Sequence, residues 1–203
     1  DHHGYITRVK SAVNHLGHDS EKLEIILSQM VALLRDGEPY KMSKRAGNFI
    51  LMSDVVEDIG IDALRFIFMT KKSDTHLDFD VDSLSKHDSS NPVFYVNYAH
   101  ARVASLFRKL EKKPEDVFDV KLNKLDDDAK ELLFDALLLN EELSSAFESR
   151  NLQMITDYLY KLSARLHKFY YDNRVIGEEN EAKYLKLFMV VALSLKTGMS
   201  LLG

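Results

Sequence analysis

Asn91-Pro92-Val93-Phe94-Tyr95-Val96-Asn97-Tyr98-Ala99-His100-Ala101-Arg102 decides how the second half of this chain folds. The Asn91 side chain can accept from the first free N–H groups of a helix, and the proline after it has no N–H to leave unpaired and a φ already set for helix. The pair predicts a helix that starts at Pro92 and runs until Pro114 stops it. Downstream, amphipathic segments at Asp127 to Glu148, Leu152 to Tyr171 and Asn180 to Leu202 are separated by breaks around Arg150-Asn151 and Gly177. Only Pro39, Pro92 and Pro114 interrupt the chain. Everything beyond Ser85 therefore reads as a helical bundle.

Upstream the pattern changes. Asp1 to His18 reads as a strand end entering a short helix. Leu23 to Leu34 is rich in Ile, Leu and Val and runs into Asp36-Gly37, a favoured two-residue hairpin signal, followed by a short strand from Glu38 to Lys41. A helix from Glu21 to Leu34 is the competing reading of the same apolar run. Phe49 to Met52 reads as a further short strand, Ser53 as the N-cap of a helix closed near Gly60, and Asp62 as the cap of a second helix through Phe68. The fold class expected is mainly α: part of an α/β nucleotide-binding domain joined to an α-helical bundle.

Between the two halves of that plan stands Lys41-Met42-Ser43-Lys44-Arg45-Ala46-Gly47-Asn48. Two ammonium groups flanking Met-Ser can reach one polyphosphate, the Ser43 hydroxyl and N–H can add hydrogen bonds, and Gly47 lets the backbone turn sharply. Such a loop neutralises the charge that develops on a leaving pyrophosphate. No G-x-x-x-x-G-K-[ST] and no G-x-G-x-x-G occurs, so the P-loop and dinucleotide-fold readings drop out. Lysines in a solvated loop are also ordinary surface residues, and Met42 suits packing beneath the loop better than chemistry.

The lysine stretch resembles the KMSKS signature of class I aminoacyl-tRNA synthetases, and in the longer form KMSKRAGNF it is similar to the arginyl-tRNA synthetase version. Further blocks stand in the family's order: Asp1-His2-His3-Gly4-Tyr5 with Arg8 and Lys10, then Asp62-Ala63-Leu64-Arg65-Phe66, then His76-Leu77-Asp78-Phe79-Asp80, then the Asn91–Arg102 stretch, which resembles the opening helix of the family's anticodon-binding domain. The resemblance continues through Tyr158-Leu159-Tyr160 and His167-Lys168-Phe169-Tyr170 and covers essentially the whole chain. The HIGH tetrapeptide of the family does not occur, and the family's amino-terminal domain and the side chains that select arginine are expected in the same absent part, so the resemblance implies the C-terminal portion of a longer bacterial-type enzyme, inactive by itself. It further implies a Rossmann-like catalytic part over 1–60, a connecting segment over 61–86 and an anticodon-binding domain over 87–203.

The roles implied are specific. Lys44 would contact the β- and γ-phosphates of ATP during adenylation, supported by Lys41, with Ser43 orienting the loop. Asp1, His2, His3, Gly4 and Met42 would border the ATP and substrate site. Tyr95, Tyr98, His100 and Arg102 would meet the anticodon loop of tRNA(Arg), whose splayed bases stack on aromatic rings while arginine holds phosphate or stacks. Tyr95, Tyr98 and Arg102 share one helix face at i, i+3 and i+7, and an aromatic stripe at that spacing is more often core, so spacing alone reads these tyrosines as packing residues; Phe169, Tyr170 and Tyr171 are assigned to the core. The reaction implied is ATP-dependent activation of L-arginine and its transfer to tRNA(Arg), with Mg²⁺ balancing the phosphates.

Composition bounds the alternatives. A net charge of −5 speaks against a dedicated phosphate-backbone binder, but charge is patterned. Lys41, Lys44 and Arg45 cluster, Arg102, Arg108, Lys109, Lys112 and Lys113 follow one helix and its end, and the acids concentrate in Asp126-Asp127-Asp128 and Glu178-Glu179. The absence of cysteine excludes disulfides and thiolate zinc sites. No run resembling the ~20 apolar residues of a membrane helix stands out, and a cytoplasmic monomer is expected. Asp-His-His is also the metal triad of a phosphoesterase superfamily, and His15 and His18 lie nearby, but no second aspartate cluster supports it and no metal ligand is assigned. A non-catalytic RNA-binding module derived from a synthetase is the alternative from another class.

Overall fold

The computed structural model describes residues 2–35, 37–39, 51–86 and 88–203. The sheet is built around β1 (Val31–Arg35), which turns back through Gly37 into β2 (Glu38–Pro39) with Leu34 opposite Pro39 and Arg35 opposite Glu38. Gly37 sits at φ 77°, a left-handed conformation that glycine adopts without a Cβ clash. The hairpin expectation holds, the helix alternative over 21–34 does not, and the strand is shorter than expected, because residues 23–30 lack ladder pairing. On its other edge β1 pairs in parallel with β3 (Leu77–Asp80), in register from Val31 opposite Leu77 to Leu34 opposite Asp80, giving the order β2-β1-β3.

Strand β3 was not anticipated as a strand, although its signal is in the sequence. Leu77 and Phe79 alternate with Asp78 and Asp80 at period two, and the structure buries the two apolar residues. Before the sheet comes α1 (His3–His15), which buries none of its residues and is helical from His3, so no strand precedes it among the described residues. After it come α2 (Met52–Ile59) and α3 (Ile61–Phe68). Their caps differ from expectation. Leu51 is the N-cap of α2, with its N–H donating to the Asp54 carboxylate at 3.1 Å, while Ser53 lies in the first turn. Gly60 at φ 83° both ends α2 and begins α3, so Asp62 is a first-turn acid, favourable to the helix dipole, and not a cap. Of the strand expected at Phe49 to Met52, Phe49 and Ile50 lie outside the described residues, while Leu51 is the N-cap of α2 and Met52 its first residue.

A short helix α4 (Val81–Leu84) leads to Asn91, which is 6% exposed and joins the two parts. Its oxygen accepts from Val93 N–H and Phe94 N–H while its amide donates to the carbonyls of Leu84 and Lys86 at 2.8 and 3.0 Å. Helix α5 (Pro92–Lys109) follows as expected but ends before Pro114: Glu111 at φ 54° reverses the chain, and Pro114 opens a 3₁₀ turn. The single helix expected over 127–148 is two, α6 (Asp127–Leu137) and α7 (Leu139–Ser149). The Ala136 carbonyl near this break is taken by two hydroxyls from other helices, Tyr158 and Ser194, each at 2.9 Å, a tertiary arrangement that periodicity does not carry.

Helices α8 (Gln153–Asp172) and α9 (Glu181–Leu202) complete the bundle. Leu159, Leu162, Leu166, Leu185, Phe188, Val191 and Leu195 are fully buried between α5, α6, α8 and α9. At ~1.5–3 kcal/mol for each buried large apolar side chain, this layer is the main source of stability. Close approach is secured by Gly198, where a Cβ would lie 2.7 Å from Leu159. Contrary to the sequence reading, α9 is long and apolar enough to cross a membrane, with a window of mean hydropathy 1.6. Leu185, Leu187, Phe188, Val191, Leu195 and Leu202 instead line the bundle core, while Leu193 and Leu201 are exposed. The sheet part meets the bundle through α3: Arg65 Nε donates to the Leu202 carbonyl at 2.9 Å, and Thr156 Oγ1 to the Met69 carbonyl at 3.2 Å.

Candidate nucleic-acid interface

Helix α5 presents Tyr95, Tyr98 and Arg102 toward α8, as their shared face requires. The Arg102 guanidinium carbon stands 4.8 Å from the Tyr98 ring centre and 5.0 Å from that of Tyr170, so a cation is held between two π faces. Arg102 also donates to His167 Nδ1 at 3.1 Å and to the Tyr98 hydroxyl at 3.3 Å. A guanidinium has only donors, so Nδ1 must accept, which fixes His167 as the neutral imidazole with its proton on Nε2. That nitrogen faces the Tyr95 carbonyl at 3.4 Å. Burial pushes the His167 pKa down, the contact with the Tyr95 carbonyl opposes this, and Arg102 adds to the fall.

Around this centre the rings continue. Tyr95 meets His167 edge-on at 4.7 Å and Tyr160 at 4.9 Å, while Phe94 stacks on Tyr98 at 6.0 Å. Tyr98 is 46% exposed and Tyr160 45% exposed, whereas Tyr95, Arg102 and His167 are half-buried. Ser89, Phe94, Tyr95, Tyr98, Arg102 and His167 line a shallow cavity of about 250 Å³. The cluster offers exposed ring faces for stacking, with a fixed cation beside them.

His100 stands apart from this group. It lies on the side of α5 that faces α9, where burial first and then Lys196 push its pKa down. The basic residues of α5 divide in the same way: Arg102 turns to α8, Lys109 lines a cavity with Tyr170 and Tyr171, and Arg108, Lys112 and Lys113 border the groove against α9. One continuous basic face is not formed. Of the aromatic trio assigned to the core, Phe169 is buried and Tyr170 half-buried, but Tyr171 is 89% exposed and belongs to the surface.

At the other end of the chain, His2 is the N-cap residue of α1 and Gly4 lies in its first turn; His2, His3 and Gly4 are exposed, and Arg8 stands 5.4 Å from the Tyr5 ring centre. Asp1, Lys41, Met42, Ser43, Lys44 and Arg45 lie outside the described residues. Among the described residues no group of three His, Asp or Glu side chains could hold a metal ion.

Residues 96–203 match the family model of the DALR anticodon binding domain, and residues 8–82 match that of the class I tRNA synthetases (I, L, M and V). The whole chain is 62% identical to an arginine–tRNA ligase of Campylobacter curvus. The chain belongs to the arginyl-tRNA synthetase family. It spans 38% of the length of that curated relative. An arginyl-tRNA synthetase crystal structure from Campylobacter jejuni superposes with a TM-score of 0.93 at 60% identity, over 100% of this chain and 44% of that one. The arginyl-tRNA synthetase of Thermus thermophilus shares the fold, with a TM-score of 0.72 at 22% identity over 97% of this chain and 37% of the other.

For a member of the arginyl-tRNA synthetase family, His167 and Tyr170 were legible only as parts of a weakly matching C-terminal block. Their spacing, i and i+3 on α8, places both on one helix face. What the sequence does not show is that this face meets Arg102.

Proposed function

We propose that this chain is part of an arginine–tRNA ligase, which uses ATP to activate L-arginine and transfers it to tRNA(Arg). In this reading residues 1–60 belong to the Rossmann-like catalytic domain, 61–86 connect, and 87–203 form the anticodon-binding domain. The observation that carries the interface is the Arg102 guanidinium, held between Tyr98 and Tyr170 beside exposed rings. Unpaired anticodon-loop bases would stack on Tyr98 and Tyr95, and Arg102 would meet phosphate or a base plane. His100, on the opposite side of the helix, would act indirectly.

On the catalytic side Lys44 and Lys41 would neutralise the β- and γ-phosphates, Ser43 would hydrogen-bond them, and Met42 would pack beneath. Asp1, His2, His3 and Gly4 would border the ATP ribose and substrate. Mg²⁺ is expected as counter-ion of the ATP phosphates, held chiefly by those phosphates. The enzyme is expected to work as a cytoplasmic monomer without a membrane partner, in keeping with the use of α9 as a core helix.

Binding of this chain to tRNA(Arg) and to a tRNA of another specificity, at two salt concentrations, tests the reading. Selective binding that survives the higher salt supports recognition by the bundle. Equal, salt-labile binding of both would place recognition elsewhere.

A further inference from the structure

On the face of α5 turned away from the Tyr95–Arg102 cluster, a groove of about 540 Å³ runs between α5, the 3₁₀ turn at Pro114 and α9. Its floor is apolar, formed by Val103, Ala104, Phe107, Met189 and Ala192, and its rim carries Phe118 and Leu193, which are 56% and 61% exposed. The lining extends from His100 to Arg108 on α5, which at 1.5 Å per residue is about 12 Å, or two helical turns. Cations stand at both ends: Lys196 at one, beside the His100 ring, and Arg108 and Lys113 at the other. Lys112 at the second end is held by Glu181 at 2.6 Å. Among the described residues no carboxylate lies within ion-pairing distance of Arg108, Lys113 or Lys196.

The geometry points to this groove as a docking site for an acidic amphipathic helix of a partner protein. Such a helix sets apolar side chains at i, i+4 and i+7 across two turns, which matches the length of the floor, and its flanking carboxylates reach cations at both ends. A single-headed lipid of that length would answer the cations at one end and lay its tail against those at the other. A nucleic-acid strand would match the charges, but the floor is mostly aliphatic, with methyl groups and thioether in place of broad stacking faces. The basic ends set in a chain of net charge −5 also give the groove a local sign opposite to the rest of the molecule.

The test uses a fluorescein-labelled synthetic helix with Leu at i, i+4 and i+7 and Glu on both flanks, titrated into the chain and followed by anisotropy. Saturable binding is expected, about tenfold weaker for Leu193→Glu and for the double variant Arg108→Glu, Lys196→Glu, a change of ~1.4 kcal/mol. All three side chains are exposed, so the variants should keep the wild-type melting temperature. Phe118→Ser gives a second readout at the other end of the groove. A peptide with Lys in place of Glu should bind severalfold more weakly. The inference is overturned if neither Leu193→Glu nor Phe118→Ser alters affinity, or if the lysine peptide binds equally well. Single-stranded RNA that binds better than the acidic helix and is lost with Leu193→Glu would overturn it too, by making the groove a nucleic-acid site.

Discussion

Arg102 meets Tyr98 of its own helix and His167 and Tyr170 of α8. Arg102→Ala should lower tRNA(Arg) affinity about tenfold, since a desolvated cation–π or guanidinium-stacking contact is worth about 1–2 kcal/mol. Filter binding of the variant reads this directly, and unchanged affinity would remove the cluster from the interface. Lys44→Ala in the full-length enzyme should do the reverse. It should cut kcat of ATP–pyrophosphate exchange by about 10²–10³, the scale for losing one transition-state charge partner, and leave tRNA affinity in place. Normal exchange by that variant would end the assignment of Lys44 to the phosphates.

Among the elements, α6, α8 and α9 are fastened at one atom. The Ala136 carbonyl accepts from Tyr158 and from Ser194, and burial pushes the Tyr158 hydroxyl pKa up to about 12, which keeps it a donor. Tyr158→Phe or Ser194→Ala alone leaves the carbonyl one partner and should cost ~1 kcal/mol each. The double variant strands a buried acceptor and should cost at least ~0.5 kcal/mol more than the sum in urea unfolding; strict additivity would show that the two bonds are independent. This junction also marks the limit of sequence reading. Caps and turns whose chemistry is local, at Asn91-Pro92, Gly37 and Arg150-Asn151, were legible because a few adjacent residues determine them. The break at Leu138 and the pairing of β3 with β1 were not, because each depends on groups far along the chain. The same holds for the candidate interface. Tyr95, Tyr98 and Arg102 could be placed on one face by spacing, but whether that face was core or surface depended on what α8 set against it.

At the scale of the whole molecule, two half-buried histidines make the bundle sensitive to mild acid. His100 and His167 both have folded-state pKa values below the ordinary value of about 6.5. A group whose pKa is depressed on folding stabilises the fold fully above its unfolded value, and that contribution is lost as pH falls toward the folded value. The melting temperature should therefore drop between about pH 7 and pH 5, before most carboxylates titrate near 4. His167→Gln should flatten the decline, and a level profile in the wild-type chain would contradict it. Joining the sheet to the bundle, Arg65 and Thr156 donate to the backbone carbonyls of Leu202 and Met69. Each carbonyl lies at or just beyond the last turn of a helix, where fraying normally begins. Amide protons of α3 should accordingly exchange with solvent at the slow rate of α9, and Arg65→Ala should release those of α3 first.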